Sequence, residues 1–315
     1  MRTVIVGAGV AGLMTGRALA EAGHEVVLLD KGRAPGGRLA TRRIGRATLD
    51  HGAQFFTVRT PAFGAHVERW TSSGLVREWC RGFAEDDGHP RYAVTGGMNA
   101  LSKHLAAGLD VRCSTLVFAI RAGEESAWSV GLDDGTGIAA DAIVLTCPLP
   151  QSFSLLITAG IELPPDLRMT DYDRTLALLA VLDRPPAIPP PGGVQDADET
   201  FSFIGDNEAK GVSSVPAATF HARPDWSLAR WDQPTGEIHA ELIERARPWL
   251  GAAAVAESQV KRWRFATPKQ VWPEPCWRAP DSPGPLVLAG DAFAGPRVEG
   301  AALSGLAAAA ALEGS

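Results

Sequence analysis

Thr3 to Asp30 reads T-V-I-V-G-A-G-V-A-G-L-M-T-G-R-A-L-A-E-A-G-H-E-V-V-L-L-D, and the fold class follows from it. Val4 to Val6 is a short apolar run bounded by glycine, the pattern of a buried strand. Gly7, Gly9 and Gly12 follow at G-x-G-x-x-G spacing, with Val10 and Ala11 opening a helix that carries Leu13, Ala18 and Leu19 and stops at Gly23. A second apolar run, Val26 to Leu29, ends on Asp30. The first glycine allows a tight turn, the second a close approach of pyrophosphate to the backbone, and the third close packing of helix on strand. The helix N-terminus then offers free N–H groups and the positive end of its dipole to phosphate. Asp30 stands where a carboxylate accepts from ribose hydroxyls. Strand, turn, helix, strand and terminal acid in register predict a Rossmann-type dinucleotide-binding unit. The bland reading is a glycine-rich turn in an α/β protein.

The chain's 315 residues can bury a large core and suit one large or two medium domains. Hydrophobic content of 45% and charged content of 21% are those of a globular protein. A net charge of -6 gives no sign of a nucleic-acid surface, and the arginines are scattered apart from Arg38, Arg42, Arg43 and Arg46. The four cysteines, Cys80, Cys113, Cys147 and Cys276, have no C-x-x-C spacing, so neither a metal site nor a disulfide framework is expected. No signal peptide precedes the first strand and no apolar run is long enough to cross a bilayer, so a cytoplasmic protein without a membrane partner is expected. The alanine-rich Ala301 to Leu312 reads as a buried helix.

After Asp30 comes Lys31 and then G-R-A-P-G-G-R, in which Gly36 and Gly37 permit a turn against a ligand and Arg38 directs a guanidinium toward pyrophosphate. NAD-binding Rossmann units have no need of this second glycine loop, whereas proteins binding extended FAD often carry it; the alternative is a surface loop with solvated arginines. In L-D-H-G-A-Q-F-F-T-V-R (Leu49 to Arg59), Gly52 and Ala53 are small enough for an isoalloxazine ring to approach. Gln54 can hydrogen-bond a flavin edge, Phe55 and Phe56 supply apolar cover, and Arg59 is a cation beside the expected active site. The same residues also suit a plain edge strand. Pro61 to Pro90 reads as a helix followed by loops, with Trp70 and Trp79 as core anchors. Gly96 and Gly97 precede another helix, on which His104 is expected to be solvated. Alternating segments from Val111 to Leu145 include a hairpin turn at Asp133 to Gly135. Cys147 lacks a basic neighbour in sequence and reads as a buried, inert thiol.

Beyond Gln151 prolines cluster at 185, 186, 189, 190 and 191, strands are expected at Leu176 to Leu182 and Ala218 to His221, and Glu237 to Trp249 is an amphipathic helix. This middle stretch reads as a substrate domain, with His221 a candidate catalytic or pocket residue beside the commoner structural role. Pro285 to Ala289 then returns to the first sheet as a strand followed by Gly290 and Asp291. The next helix begins near Glu299, Gly300 and Ala301, its dipole directed at the flavin N1–C2=O, where positive potential favours hydride acceptance. The expected organisation is α/β: a discontinuous FAD-binding domain (1–60, 91–150 and 280–315) and a smaller α+β substrate domain (61–90 and 151–279) on a mixed or antiparallel sheet.

Taken together, G-A-G-V-A-G, D-K-G-R-A-P-G-G-R, L-D-H-G-A-Q-F-F-T-V-R, T-G-G-M-N-A-L, T-F-H-A-R-P-D-W-S, R-W-R-F-A and G-D-A-F-A-G-P-R-V-E-G-A-A-L-S-G resemble the bacterial renalase-like branch of the FAD-dependent amine-oxidase superfamily. The first two motifs occur in many flavoproteins; G-A-Q-F-F-T-x-R and R-V-E-G-A-x-L-S-G are much narrower. The resemblance implies non-covalent FAD and oxidation of dihydro-NAD(P) isomers, with hydride passing to the flavin and then to dioxygen to give hydrogen peroxide. It implies that Phe55, Phe56, Thr57, Arg59 and Gly97 line the substrate side, and it adds weight to His221. This chain departs from the family pattern at Ala292 and Ala302, where aromatics are common, at Phe265, where tyrosine is, and at His51, where an apolar residue is. Loss of two rings is expected to widen the pocket by on the order of a hundred Å² of apolar surface each.

Three functions compete at this level. An oxidase acting on dihydronicotinamides leads, because such chemistry asks of the protein only position, dryness and electrostatics. A flavin amine oxidase or a dehydrogenating enzyme of a specialised pathway is the alternative that the widened pocket motivates. A flavin-binding redox sensor is the non-enzymatic one.

Overall fold

The computed structural model describes residues 1–314, and these divide into two compact units. The first comprises Met1–Arg38, Ser102–Asp171 and the chain from Thr267 onward; the second comprises Leu39–Leu101 and Tyr172–Ala266. Residues 39–60 and 91–101, expected with the nucleotide-binding segments, fall in the second unit. The physical reason is local: the hairpin of Thr41–Ile44 and Ala47–Asp50 packs Ile44, Ala47 and Leu49 on Leu179 and Ala217.

The first unit is built on a six-stranded sheet ordered Trp277–Arg278, Leu286–Leu288, Ala142–Leu145, Arg2–Val6, Glu25–Leu29, Asp110–Arg112. All neighbours are parallel except the short first pair. Val4, Ile5, Leu28, Leu29 and Ile143 to Leu145 are wholly or almost wholly buried. That is the near-continuous apolar signature of parallel strands covered on both faces. A three-stranded antiparallel sheet (Val117–Ala122, Trp128–Leu132, Gly137–Ala140) is inserted before the strand Ala142–Leu145.

The helices Val10–Glu21 and Arg297–Glu313 pack side by side in this unit. They approach until a Cβ on Gly305 would lie 2.2 Å from Ala11 O. Thr15 Oγ sits 3.0 Å from Ala11 O and 2.8 Å from Gly305 O, so one hydroxyl proton is shared across the contact. The small residues of the last helix, which make it look merely apolar in sequence, are what allow this approach.

The second unit carries a five-stranded antiparallel sheet ordered Gly193–Gln195, Phe201–Asp206, Ala217–Ala222, Thr175–Leu182, Val255–Trp263. One face buries Leu176, Leu178, Ala218, Phe220 and Phe201 against Trp226, Ile238 and Leu242 of the helices Pro224–Ala229 and Thr235–Leu250. Thr175–Leu182 lies inside the sheet and is apolar on both faces, hence its unbroken T-L-A-L-L-A-V-L. Each fully buried leucine there contributes about 1.5–3 kcal/mol. The stretch expected to be loops after the first helix of this unit, Pro61–Ser72, instead forms a strand, Val76–Cys80, paired antiparallel with Arg91–Val94. Trp70 is a core anchor as expected. Trp79 is only half-buried and donates from Nε1 to Pro191 O.

Substituting Gly305→Ala forces the two helices of the first unit apart. A loss of about 1–3 kcal/mol is expected, read as a lower urea midpoint at unchanged slope. An unchanged midpoint would contradict the close contact.

Candidate functional site

In the first unit, the glycine turn is enforced by crowding. Gly7 has φ +107°, and a Cβ on Gly12 would stand 2.0 Å from Gly7 O. Ala8, between them, gives its N–H to Asp30 Oδ2 at 2.6 Å and accepts from Gly36 N–H at 2.8 Å. Asp30 Oδ1 accepts from Gly32 N–H at 2.7 Å. Both glycine loops are thus tied to one acid, and a Cβ on Gly37 would come within 3.4 Å of Gly9 Cα. A Cβ on Gly9 would meet nothing within 4 Å. Bare backbone therefore borders open space at the N-terminus of Val10–Glu21, a helix with no acid in its first turn. Such a cradle of N–H groups and positive dipole fits a pyrophosphate. Each Asp30 oxygen, having accepted one N–H, retains a lone pair for a ribose hydroxyl.

Arg38 and Asp291, 253 positions apart, form a bidentate pair at 2.6 and 2.7 Å. Asp291 is 7% exposed, so the pair neutralises a buried carboxylate. Gly290 N–H is held by Ser304 Oγ at 2.8 Å, which fixes the end of the strand Leu286–Leu288 to the last helix. Gly300 has a steric reason of its own: a Cβ there would fall 1.8 Å from Gly295 O. Ala292 and Ala302, 1% and 0% exposed, border no hollow. The missing rings are matched by close packing, so the expected widening of the pocket at these positions does not occur.

The second unit centres on a buried ion pair that sequence reasoning missed. Lys210 and Asp50 side chains are both 0% exposed, with Nζ 2.9 Å from Oδ2. Lys210 also donates to Gln54 O and Oε1, at 3.2 and 3.1 Å. Asp50 Oδ1 accepts from Thr41 Oγ1 at 2.6 Å and Met98 N–H at 2.8 Å. Gln54 Nε2 donates to Asp50 O at 2.8 Å and Gly52 O at 3.2 Å. A buried pair is tolerated only when further hydrogen bonds satisfy it, and this one has them. The consequence for Gln54, expected at a flavin edge, is that both ends of its amide are engaged inside the unit. Gly97 likewise has a packing role: φ is +104°, and a Cβ would sit 2.6 Å from Thr41 Cγ2.

His221 Nε2 and Trp263 Nε1 both donate to His51 O, at 3.2 and 2.6 Å. The His51 ring stacks on Trp263 with centroids 5.3 Å apart. Burial first, then the nearby Lys261 and His221, push His51 down to about 4. Burial, with a smaller effect of Lys210, pushes His221 down to about 4 as well. Both rings are neutral at pH 7, so His221 donates from Nε2 and presents an acceptor at Nδ1. That suits a positioning or pocket role and gives no acid for proton delivery.

The aromatic candidates separate. Phe56 is 4% exposed, bridges to Tyr92 through backbone bonds, stacks on its ring and meets Phe63 edge-on. Phe55 is half-buried against Trp79, Phe83 and Phe203. Thr57 is half-buried and Arg59 exposed. Phe265 meets Tyr172 edge-on at 5.6 Å. His104 is exposed, as expected. Burial pushes the Cys147 thiol up, and its Sγ lies 3.2 Å from Ser152 Oγ, consistent with an unreactive thiol. A surface cavity of about 430 Å³ lined by Val58, Val67, Glu68, Glu78 and Tyr92 shares none of the candidate residues. Among the described residues, no helix is long and apolar enough to cross a membrane.

Residues 61–312 match the family described as flavin containing amine oxidoreductase. The chain belongs to that family. Residues 5–70 match the NAD(P)-binding Rossmann-like domain, in agreement with the α/β fold above. The protein is an FAD-dependent oxidoreductase, and the residues around Gly9 and Asp30 fit its cofactor. Solved structures share the fold over nearly the whole chain. One, provisionally described as a protoporphyrinogen oxidase from Exiguobacterium sp. 255-15, has a TM-score of 0.76 at 15% identity, covering 99% of this chain and 98% of that one. A putrescine oxidase bound to putrescine has a TM-score of 0.74 at 15% identity, covering 100% of each. Among curated proteins, the hydroxyneurosporene desaturase of Rubrivivax gelatinosus is 43% identical over 58 residues, 18% of this chain and 11% of the desaturase. The chain thus matches about a tenth of that protein's length.

The two histidines set a pH dependence. Each is depressed in the fold from 6.5 to about 4, so between these values the unfolded chain binds more protons. Stability therefore rises with pH across that window and gains nothing further from this source above it. Each histidine adds a slope of roughly 1.4 kcal/mol per pH unit there. His221→Phe is expected to reduce the slope of unfolding free energy against pH by about that amount. An unchanged slope from pH 4 to 6.5 would contradict the buried neutral ring.

Proposed function

We propose that the protein is a renalase-like oxidase that takes a hydride from a small cyclic substrate, dihydro-NAD(P) isomers above all, and delivers the electron pair to dioxygen. One dihydronicotinamide, one dioxygen and one proton become one nicotinamide cation and one hydrogen peroxide. The carrying observation is the backbone surface that the two glycine loops and Asp30 build around open space at Gly9. In this reading Gly7, Gly9, Val10, Ala11, Gly12, Asp30, Lys31, Gly37 and Arg38 hold non-covalent FAD at its nucleotide end. Gly290, Asp291, Glu299, Gly300 and Ala301 hold it toward the ribityl chain. When bound, FAD supplies the hydride acceptor and the route of the electrons to dioxygen.

Gly52, Ala53 and Phe55 are assigned to the flavin ring, with Gln54 supporting them from within the second unit, and the substrate side falls to Phe55, Thr57, Arg59 and His221, with Phe56 and Gly97 behind them. Loss of a hydride from a dihydropyridine leaves an aromatic cation with no proton to remove. Neutral His51 and His221 are compatible with that, since neither is needed as a base. The narrow motifs G-A-Q-F-F-T-V-R and R-V-E-G-A-A-L-S-G support the same substrate class.

Anaerobic stopped-flow mixing of the FAD-loaded protein tests this. Rapid bleaching of the flavin by 2- or 6-dihydro-NAD, with one equivalent of hydrogen peroxide per turnover once air is admitted, is the expected result. Bleaching by amines alone would replace the reading with an amine oxidase. A flavin that no donor reduces would replace it with a redox sensor.

A further inference from the structure

Strand register places an unusual row of side chains on the face of the five-stranded sheet opposite its helices. His221 and Lys261 both pair with Ala177, one from each side, and Trp263 pairs with Thr175 two residues along. Directly paired residues point to the same face, as do residues two apart. His221, Ala177, Lys261, Thr175 and Trp263 therefore share one surface. The two flanking strands lie roughly 10 Å apart, twice the strand spacing, and the residue between His221 and Lys261 contributes only a methyl group. His51 completes the row by stacking on Trp263, and its Nδ1 is buried with no hydrogen-bond partner.

The charge immediately around Lys261 is positive. Lys261 is half-buried and pushed down, first by burial and then by Arg42. Among the described residues no carboxylate pairs with it; the acids of the same region are accounted for elsewhere. Asp50 is engaged by Lys210, Thr41 and Met98. Glu257, on the same face of the same strand, is four residues away, about 13 Å along it. A half-buried ammonium without a counter-ion, beside a second cation and two neutral imidazoles, is a costly arrangement that an incoming anion would relieve.

We propose that Lys261, assisted by Arg42 and framed by His51, His221 and Trp263, is an anion-recognising subsite that selects substrates carrying a carboxylate or phosphate and rejects ammonium groups. The subsite deepens the function proposed above, because the group it holds belongs to the molecule being oxidised. Lys261, half-buried beside Arg42, supplies the charge, and the buried Ala177 places only a methyl group between it and His221. Neutral His51, stacked on Trp263, frames the subsite without adding a further full charge. A protonated amine would meet Lys261 and Arg42 with no acid to compensate, so discrimination comes from repulsion as much as from attraction.

Isothermal titration of the FAD-loaded protein with benzoate, phenyl phosphate and benzylamine reads the subsite directly, since the three share a ring and differ in charge. At least one of the anions is expected to bind saturably, at least tenfold more tightly than benzylamine, and the ratio of the two anion affinities assigns carboxylate or phosphate. Lys261→Met is expected to weaken that anion at least fivefold, and Lys261→Arg to retain it within threefold. FAD content and thermal midpoint identify any variant that has lost its fold, in which case Lys261→Gln takes its place. Benzylamine binding as tightly as the anions, no binding of either anion, or an unchanged affinity in Lys261→Met would each overturn the subsite. Flavin bleaching by dihydronicotinamides without anion preference would count against the subsite alone. Anion preference with a flavin that no donor bleaches would count against the hydride chemistry alone.

Discussion

The two backbone groups of Ala8 hold the cofactor end of the molecule together. Its N–H is fixed by the Asp30 carboxylate and its carbonyl by Gly36 N–H, so one residue joins the end of the second strand, the first glycine turn and the second glycine loop. Everything about the nucleotide cradle depends on that junction. If Ala8 were free to move, Gly37 would not lie against Gly9, and the row of bare peptide groups would not face a common space. The acid that sequence patterns associate with ribose thus has a second task, tying the two glycine loops together.

The second unit is organised by a different constraint, the burial of charge. Lys210 and Asp50 are completely enclosed and draw Gln54, Thr41 and Met98 into one network. Removing either partner would strand the other charge, at a cost of about 3–5 kcal/mol. The network makes the G-A-Q-F-F segment rigid from behind, so its outward residues are positioned by a core that is partly ionic. Lys261 on the sheet and Arg42 on the neighbouring hairpin have no such carboxylate partner among the described residues, and the anion subsite is proposed for them.

Legibility in the sequence followed the range of the interactions. The Rossmann unit could be read because its determinants lie within 30 residues and each is a backbone requirement: Gly7 for its positive φ, Gly12 for its crowding against Gly7 O, Asp30 for its place at a strand end. The strands at Leu176 to Leu182 and Ala218 to His221 and the helix at Glu237 to Trp249 were visible for the same local reason. Long-range pairings were not. Trp263 and His51 are 212 positions apart, and no local pattern announces that they stack. Lys210 looks like any surface lysine until the fold encloses it, and nothing local announces that Arg38 pairs with Asp291, 253 positions away. Ala292 and Ala302 misled in the opposite direction. An absent ring in a sequence suggests a hollow, but a folded chain closes over small residues when helices can approach, as Gly305 and Ala11 do.

The central claim is that open space beside Gly9 receives the FAD pyrophosphate. Gly9 has an ordinary φ of -74°, and a Cβ there would touch no protein atom. Gly9→Val should therefore leave the fold intact while filling the cradle. Titration of FAD into cofactor-stripped protein, followed by quenching of flavin fluorescence, is expected to show one saturable site in the native chain. In Gly9→Val, of unchanged circular dichroism and thermal midpoint, affinity is expected to fall at least a hundredfold. A native chain that refuses FAD, or a valine variant that binds it as tightly, would contradict the account.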